Sequence, residues 1–173
     1  LNPNLSRLEV VRAYWPNHSI ETHIMSKNPL SLINDNILNF SDIIYFHNEI
    51  ENKNEVIKKI ENKNKIPGIV LHTINEYSNL ENLISQFKQI LILSIKKPGV
   101  SGQDFNEKSY ELINKINAMS LRNKFSVCVD GGVKSKIINK FISEKVVSGS
   151  EVLNNSNPIR KIMSLQTLAR YEK

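Results

Sequence analysis

Phe125-Ser126-Val127-Cys128-Val129-Asp130-Gly131-Gly132-Val133 is a short apolar run, rich in β-branched residues, that ends in an acid and two glycines. Such a run reads as a buried strand, with Asp130 emerging at its C-terminal end. Alternation along a strand places Ser126, Cys128 and Asp130 on one face and Val127 and Val129 on the other. The glycine pair lets backbone N–H groups come close to a ligand, most naturally an anion. An ionisable group at the rim of an apolar strand, beside such a pair, is the strongest active-site signal in the chain. A competing reading makes Asp130 the cap of a helix over 135–143.

Working outward, strand and helix patterns alternate on both sides of this stretch. Before it come a strand at Ile90–Ile95, the loop Lys96–Gln103 and a helix at about Asn106–Leu121. Earlier still, strands are expected at Ser19–Met25, Asp42–Phe46 and Pro67–Leu71. Helices are expected at Leu5–Tyr14, from Asn28-Pro29 to about Asn39, over Glu51–Asn62 and over Leu80–Gln89. After it come a helix at Ser135–Ser143, a strand at Lys145–Ser148 closed by Gly149-Ser150, and a last helix from Pro158 to Arg170. About six strand–helix units with crossover-length connections imply parallel strands covered by helices. An open doubly wound sheet and a (β/α)8 TIM barrel both satisfy that pattern. No Gly-x-Gly-x-x-Gly follows a first strand, which weighs against a dinucleotide fold. Glycines after three late strands (Gly99 and Gly102, Gly131 and Gly132, Gly149) favour the barrel, whose late loops often hold phosphate.

The 173 residues suit one domain, spanning 1–173. The hydrophobic fraction of 40% and charged fraction of 23% are those of an ordinary soluble protein. No apolar run is long enough to span a bilayer, and Leu1-Asn2-Pro3-Asn4 has neither the basic start nor the apolar core of a signal peptide. The net charge of +6 is spread among interleaved Lys, Glu and Asn, so it describes solvated helix faces and no nucleic-acid surface. A single cysteine excludes an internal disulfide and a cysteine metal cluster, and fits a reducing cytoplasm. Cys128 itself reads as core packing.

Five segments in order carry a resemblance. They are His23-Ile24-Met25 followed by Asn28-Pro29, Phe46-His47-Asn48-Glu49, the loop Pro98-Gly99-Val100-Ser101-Gly102-Gln103-Asp104-Phe105, Val129-Asp130-Gly131-Gly132, and Gly149-Ser150. In this order and spacing the sequence resembles the ribulose-phosphate 3-epimerases, (β/α)8 barrels acting on a pentulose phosphate. Asn2-Pro3-Asn4-Leu5 looks like the end of the family's loop after its second strand. The family's first strand, first helix and second strand, with a Ser, a metal-binding His and one acid/base Asp, have no counterpart here. A complete barrel would need roughly 40–50 further residues before Leu1, so the chain is expected to be a fragment of a longer enzyme. The loop also carries Val100-Ser101 for the family's Phe-Gly, and Leu93 stands where the family usually has Met.

The resemblance implies epimerisation at C3 of ribulose 5-phosphate through an enediolate, with a divalent metal (Zn, Fe, Mn or Co) as Lewis acid. It implies His23 as metal ligand, Asp130 as metal ligand and general acid/base, and Met25 lining the site. Backbone groups at Gly102, Gly131, Gly132, Gly149 and Ser150 would hold the phosphate. The partner is a small sugar phosphate, with copies of the same chain, and neither nucleic acid nor membrane. His47 is expected to make a structural hydrogen bond, and His18 and His72 to lie on the surface. Glu21, on the face of His23, either orients it or is a rim acid. The alternative readings are an inactive barrel relative that binds a sugar phosphate or a partner subunit, and a different phosphate-binding barrel enzyme.

Overall fold

The computed structural model describes residues 6–73 and 75–171, so the Asn2–Leu5 resemblance lies outside it. Six strands form one sheet: β1 Glu21–Ile24, β2 Ile43–His47, β3 Ile66–His72, β4 Gln89–Leu93, β5 Ser126–Asp130 and β6 Lys145–Val147. They follow chain order, and every neighbouring pair is parallel. The helices are α1 Ser6–Tyr14, α2 Asp35–Phe40, α3 Lys53–Glu61, α4 Leu80–Ile84, α5 Lys108–Asn117, α6 Ser150–Leu153 and α7 Pro158–Tyr171.

The sheet curls. Six strands laid flat would set the first and last about 24 Å apart, beyond the joint reach of two side chains. Yet Lys145 of β6 places its Nζ 2.7 Å from Glu21 Oε1 of β1. Period-two alternation then sorts residues between two faces. Ile44, Phe46, Ile69, Leu71, Ile90, Ile92, Val127 and Val129 face outward and pack with helix residues such as Val56, Ile60 and Ile113. Ile43, Tyr45, Val70, Leu91, Leu93, Ile95 and Cys128 form a separate cluster inside the curl. Sequential parallel strands with helices outside and a packed interior are the elements of a (β/α)8 barrel, here built from these six strands.

Several boundaries differ from the sequence reading. No helix forms over 135–143; the segment is a run of turns closed by Ile137 and Ile138 N–H groups donating to the Lys134 carbonyl, 3.0 and 3.1 Å. Adjacent β-branched Ile137 and Ile138 favour helix poorly. The Ser135 hydroxyl donates to Glu151 (2.9 Å), and Phe141 stacks on Phe105 at 5.8 Å. With no helix there, Asp130 has none to cap. The expected helix from Asn28 to Asn39 is split into a 3-10 turn, Pro29–Ser31, and α2, because Asn34 caps α2 by accepting from Ile37 N–H at 3.2 Å. Helix α4 stops at Ile84, since Phe87 turns inward to meet Phe46 edge-on. Gly149-Ser150 does more than end a strand, because Ser150 begins the short α6.

Candidate active site at the C-terminal mouth of the strands

Parallel strands send their C-terminal ends to one side, and the candidate residues gather there. Asp130 closes β5. Its backbone is pinned by Ser94, fully buried, whose N–H donates to the Asp130 carbonyl at 2.7 Å. The Ser94 hydroxyl lies 2.8 Å from the same carbonyl and 2.7 Å from that of Gly131. The turn that follows needs glycine. Gly131 and Gly132 have φ of +115° and +66°, and a Cβ on Gly132 would stand 2.2 Å from the Phe105 nitrogen. These glycines therefore have a packing reason as well as any ligand reason.

One cavity of about 470 Å³ is lined by Met25, Gly102, Asp130, Gly131, Gly132, Gly149 and Ser150, which is every candidate except His23. His23 lies just behind it, with its Nδ1 3.5 Å from Asp130 Oδ2. Met25 follows β1 and is 45% exposed, so it forms the rim between this cavity and its neighbour. The loop over 96–103 is held by one side chain: Gln103 accepts from Lys97 N–H (3.0 Å) and donates to the Lys97 and Val100 carbonyls (2.6 and 2.8 Å). Gly99 and Gly102 supply its positive φ values of 81° and 78°.

The neighbouring cavity, about 420 Å³, contains what the sequence reading undervalued: His47, Glu49 and His72. His47, expected to make only a structural hydrogen bond, lies with its Nε2 3.0 Å from His23 Nε2. Its Nδ1 is 3.7 Å from Glu49 Oε2, an electrostatic contact longer than a close hydrogen bond. That imidazole, working against burial, holds the Glu49 carboxyl below its ordinary range. His72 is not a surface residue; it is 6% exposed, and its Nε2 lies 2.7 Å from the Ile95 carbonyl. Both histidines end strands with inward parity, as Asp130 does, and that shared parity is the signal that could have found them. His18 is exposed as expected. Glu21 does not orient His23: it bonds Tyr45 (3.0 Å) and Lys145 (2.7 Å), deeper in the curl. Cys128 is buried, and burial pushes its thiol up to about 12, so it packs and does not react.

The fit of a divalent cation rests on one atom. His23 Nδ1 is buried and has no hydrogen-bond partner, although a carboxylate faces it. Two ligands of a tetrahedral ion with bonds near 2.1 Å lie about 3.4 Å apart, close to the separation seen. His23 and Asp130 therefore fit such an ion as a pair. Among the described residues no group of three or more His, Cys, Asp or Glu gathers to hold a metal.

Comparison with known proteins follows the same line. Two proteins called ribulose-phosphate 3-epimerase are similar to the chain. That from Encephalitozoon cuniculi is 28% identical over 120 residues, covering 69% of this chain and 53% of that protein. That from Aquifex aeolicus is 28% identical over 162 residues, covering 87% of this chain and 71% of that protein. The chain thus spans about half the length of one relative (53%) and more of the other (71%). Among solved structures, 3-hexulose-6-phosphate synthase from Salmonella typhimurium superposes with a TM-score of 0.74 at 12% identity, covering 98% of this chain and 81% of that one. KGPDC from Streptococcus mutans gives 0.65 at 15% identity, covering 94% and 77%. At these identities the structures speak for the fold alone. The profile of the ribulose-phosphate 3 epimerase family matches residues 4–153, well over half of the chain, and the chain belongs to that family.

Proposed function

We propose that this chain forms the larger part of a ribulose-phosphate 3-epimerase, inverting the carbon next to the ketone of a pentulose phosphate. The observation that carries the reading is the unpartnered His23 Nδ1 facing the Asp130 carboxylate at a strand mouth bordered by glycine loops. Asp130 is within reach of that cavity and is the group to take or return the proton. The carbon is weakly acidic, so charge appearing on the substrate oxygens must be offset. A divalent ion held by His23 and Asp130 would supply that positive charge when bound. Met25, at the rim, would cover the reacting carbon and keep water off it. Gly102, Gly131, Gly132, Gly149 and Ser150 would hold the phosphate through backbone groups at the other end of the same cavity. One carboxylate serves one face of the carbon; the acid for the opposite face belongs to the family segment without a counterpart in this sequence.

The same reading makes the protein a cytoplasmic one that assembles with copies of itself. A lone, buried thiol accords with a reducing compartment, and exposed Trp15, Ile159 and Met163 offer apolar surface for assembly. Among the described residues no helix is long and apolar enough to cross a membrane.

The test is ribulose 5-phosphate with added Mn²⁺, Co²⁺ or Zn²⁺ in D₂O, following deuterium entry at C3 by NMR and xylulose 5-phosphate by a coupled assay. Turnover lost in Asp130→Asn is the expected result; no exchange with any ion overturns the reading. The second reading, an inactive relative that binds a sugar phosphate, draws on the incomplete gathering of metal-holding groups among the described residues. It predicts saturable ribulose 5-phosphate binding with no deuterium entering the sugar.

A further inference from the structure

The mouth holds residues that the proposed reaction leaves without a task. His47 ends β2, and its ring stacks on that of His23 with centroids 5.1 Å apart. Their Nε2 atoms are 3.0 Å apart. Between two neutral rings at that distance, one nitrogen carries the proton and the other the lone pair. The far side of His47 decides which. There, Nδ1 faces Glu49 Oε2 at 3.7 Å, while Asn75 donates to Oε1 of the same carboxylate and holds it in place. An ionised carboxylate only accepts, so it favours the proton on His47 Nδ1. His47 Nε2 is then a lone pair, and it accepts from His23 Nε2–H. His23 Nδ1 is left as a lone pair as well.

That assignment explains an otherwise odd feature. His23 Nδ1 is buried beside a carboxylate and yet makes no hydrogen bond to it. The two carboxylates stand at similar range, Glu49 3.7 Å from His47 Nδ1 and Asp130 3.5 Å from His23 Nδ1, and anchoring separates them: Asn75 fixes the Glu49 carboxylate, whereas among the described residues none donates to that of Asp130. Two acceptors facing each other stay apart, and the space between them suits a cation.

We propose that Glu49 and His47 are positioning residues. Through the line Glu49–His47–His23 they hold His23 in its Nε2–H tautomer, so that Nδ1 offers a lone pair beside Asp130 to a divalent ion. The use of that ion rests on the epimerase reading; the tautomer does not.

The test separates the two. Long-range ¹H–¹⁵N correlation on metal-free, ¹⁵N-labelled protein at about pH 8 reads the tautomer of each neutral histidine. The four histidines are assigned through single His→Gln variants. Wild type is expected to show the His23 proton on Nε2 and a bare Nδ1. In Glu49→Gln, whose amide can donate as well as accept, both His23 tautomers should appear. Co²⁺ alone, titrated by its visible absorption, should bind roughly 10–100-fold more weakly to that variant. Thermal melting should not move, because Glu49 is 45% exposed at its side chain. His47→Gln should weaken Co²⁺ binding by a similar factor. A wild-type proton on His23 Nδ1, or Glu49→Gln with unchanged tautomer and Co²⁺ affinity, overturns the proposal. Failure of turnover with the tautomer as stated would sink the epimerase reading and leave this one standing.

Discussion

Two polar layers sit one step apart inside the curl, sharing β1 and β2, and they are built to opposite rules. In the lower layer, Lys145 Nζ reaches both Glu21 oxygens (2.7 and 2.8 Å), Gln89 Oε1 (2.9 Å) and the Tyr45 hydroxyl (3.2 Å). Tyr45 donates to Glu21 Oε2 at 3.0 Å, and burial pushes its own hydroxyl far above the ordinary value, so it stays neutral. Gly68 makes room for that ring, since a Cβ there would lie 2.3 Å from it. Two residues along, β1, β2 and β5 present His23, His47 and Asp130. In this upper layer a buried nitrogen has no partner. An unpaired buried polar atom costs on the order of 1–3 kcal/mol. Ser109 Oγ on α5 is also buried without a partner, so the unpaired atom alone marks no site; what sets His23 apart is the Asp130 carboxylate facing it at the strand mouth. The lower layer thus reads as structure and the upper one as a site.

The largest effect should come from Asp130→Asn. It keeps size and hydrogen-bonding shape but removes the carboxylate proposed above as the base, so the rate of deuterium entry at C3 should fall about 10²–10⁴-fold. Melting should hold steady, because among the described residues no hydrogen bond depends on that charge in the way the lower layer depends on Lys145. A variant that keeps the rate, or that unfolds, breaks the contrast between layers.

Next comes Gly132→Ala. Its φ of +66° and the 2.2 Å approach to the Phe105 backbone leave no room for a methyl. A loss of about 3 kcal/mol in denaturant unfolding is expected. Gly149, with nothing within 4 Å of a built Cβ, gives the control. Alanine there should leave stability within about 0.5 kcal/mol. If Gly149→Ala nonetheless weakens ribulose 5-phosphate binding, the backbone there approaches the phosphate.

Lys145→Met tests the lower layer directly. It strands Glu21, whose side chain is 25% exposed, against the Tyr45 hydroxyl and Gln89. A fully buried pair broken this way costs about 3–5 kcal/mol, and partial solvation reduces that to about 1–3. Adding Glu21→Gln should recover part of the loss. Activity per folded molecule should not change, since neither residue reaches the mouth.

This difference between layers also marks what could be read in advance. Parallel alternation and the strand at 126–130 were legible because buried parallel strands are continuous apolar runs such as Ile90-Leu91-Ile92-Leu93. Motif order singled out His23 and Asp130, and the fold sets them 3.5 Å apart. The stretch 135–143 was misread because Ile138 and Phe141 have helical spacing, while tertiary packing against Phe105 took them instead. His72 reads as a surface residue because no motif surrounds it, and His47, although inside the Phe46–Glu49 segment, reads as making a structural hydrogen bond because sequence does not show which side chain it meets. Only pairing in space shows that His47 touches His23, and only the curl shows that Glu21 meets Lys145 rather than a ring two residues away.

The smallest effect sharpens the contrast at the opposite rim. Asp42, just before β2, accepts from Ile20 N–H at 2.8 Å and from Arg12 at 2.5 Å. Burial raises its carboxyl, but that N–H and the Arg12 guanidinium together outweigh burial and hold it below its ordinary 3.8. A carboxyl lowered on folding contributes stability that is complete above the unfolded value, and that stability drains away as pH falls through the lower, folded one. Asp42→Asn removes this contribution at every pH. Wild type should therefore melt above the variant at pH 6, and the gap should narrow steadily below about pH 4. Asp42 is 40% exposed at its side chain, so solvent screens the pair and the gap should be a few degrees at most. A gap that stays constant down to pH 3 would mean that Asp42 acts through shape alone. The N-terminal rim would then owe its order to Arg12, which also donates to the carbonyls of Pro16, His18 and Phe40.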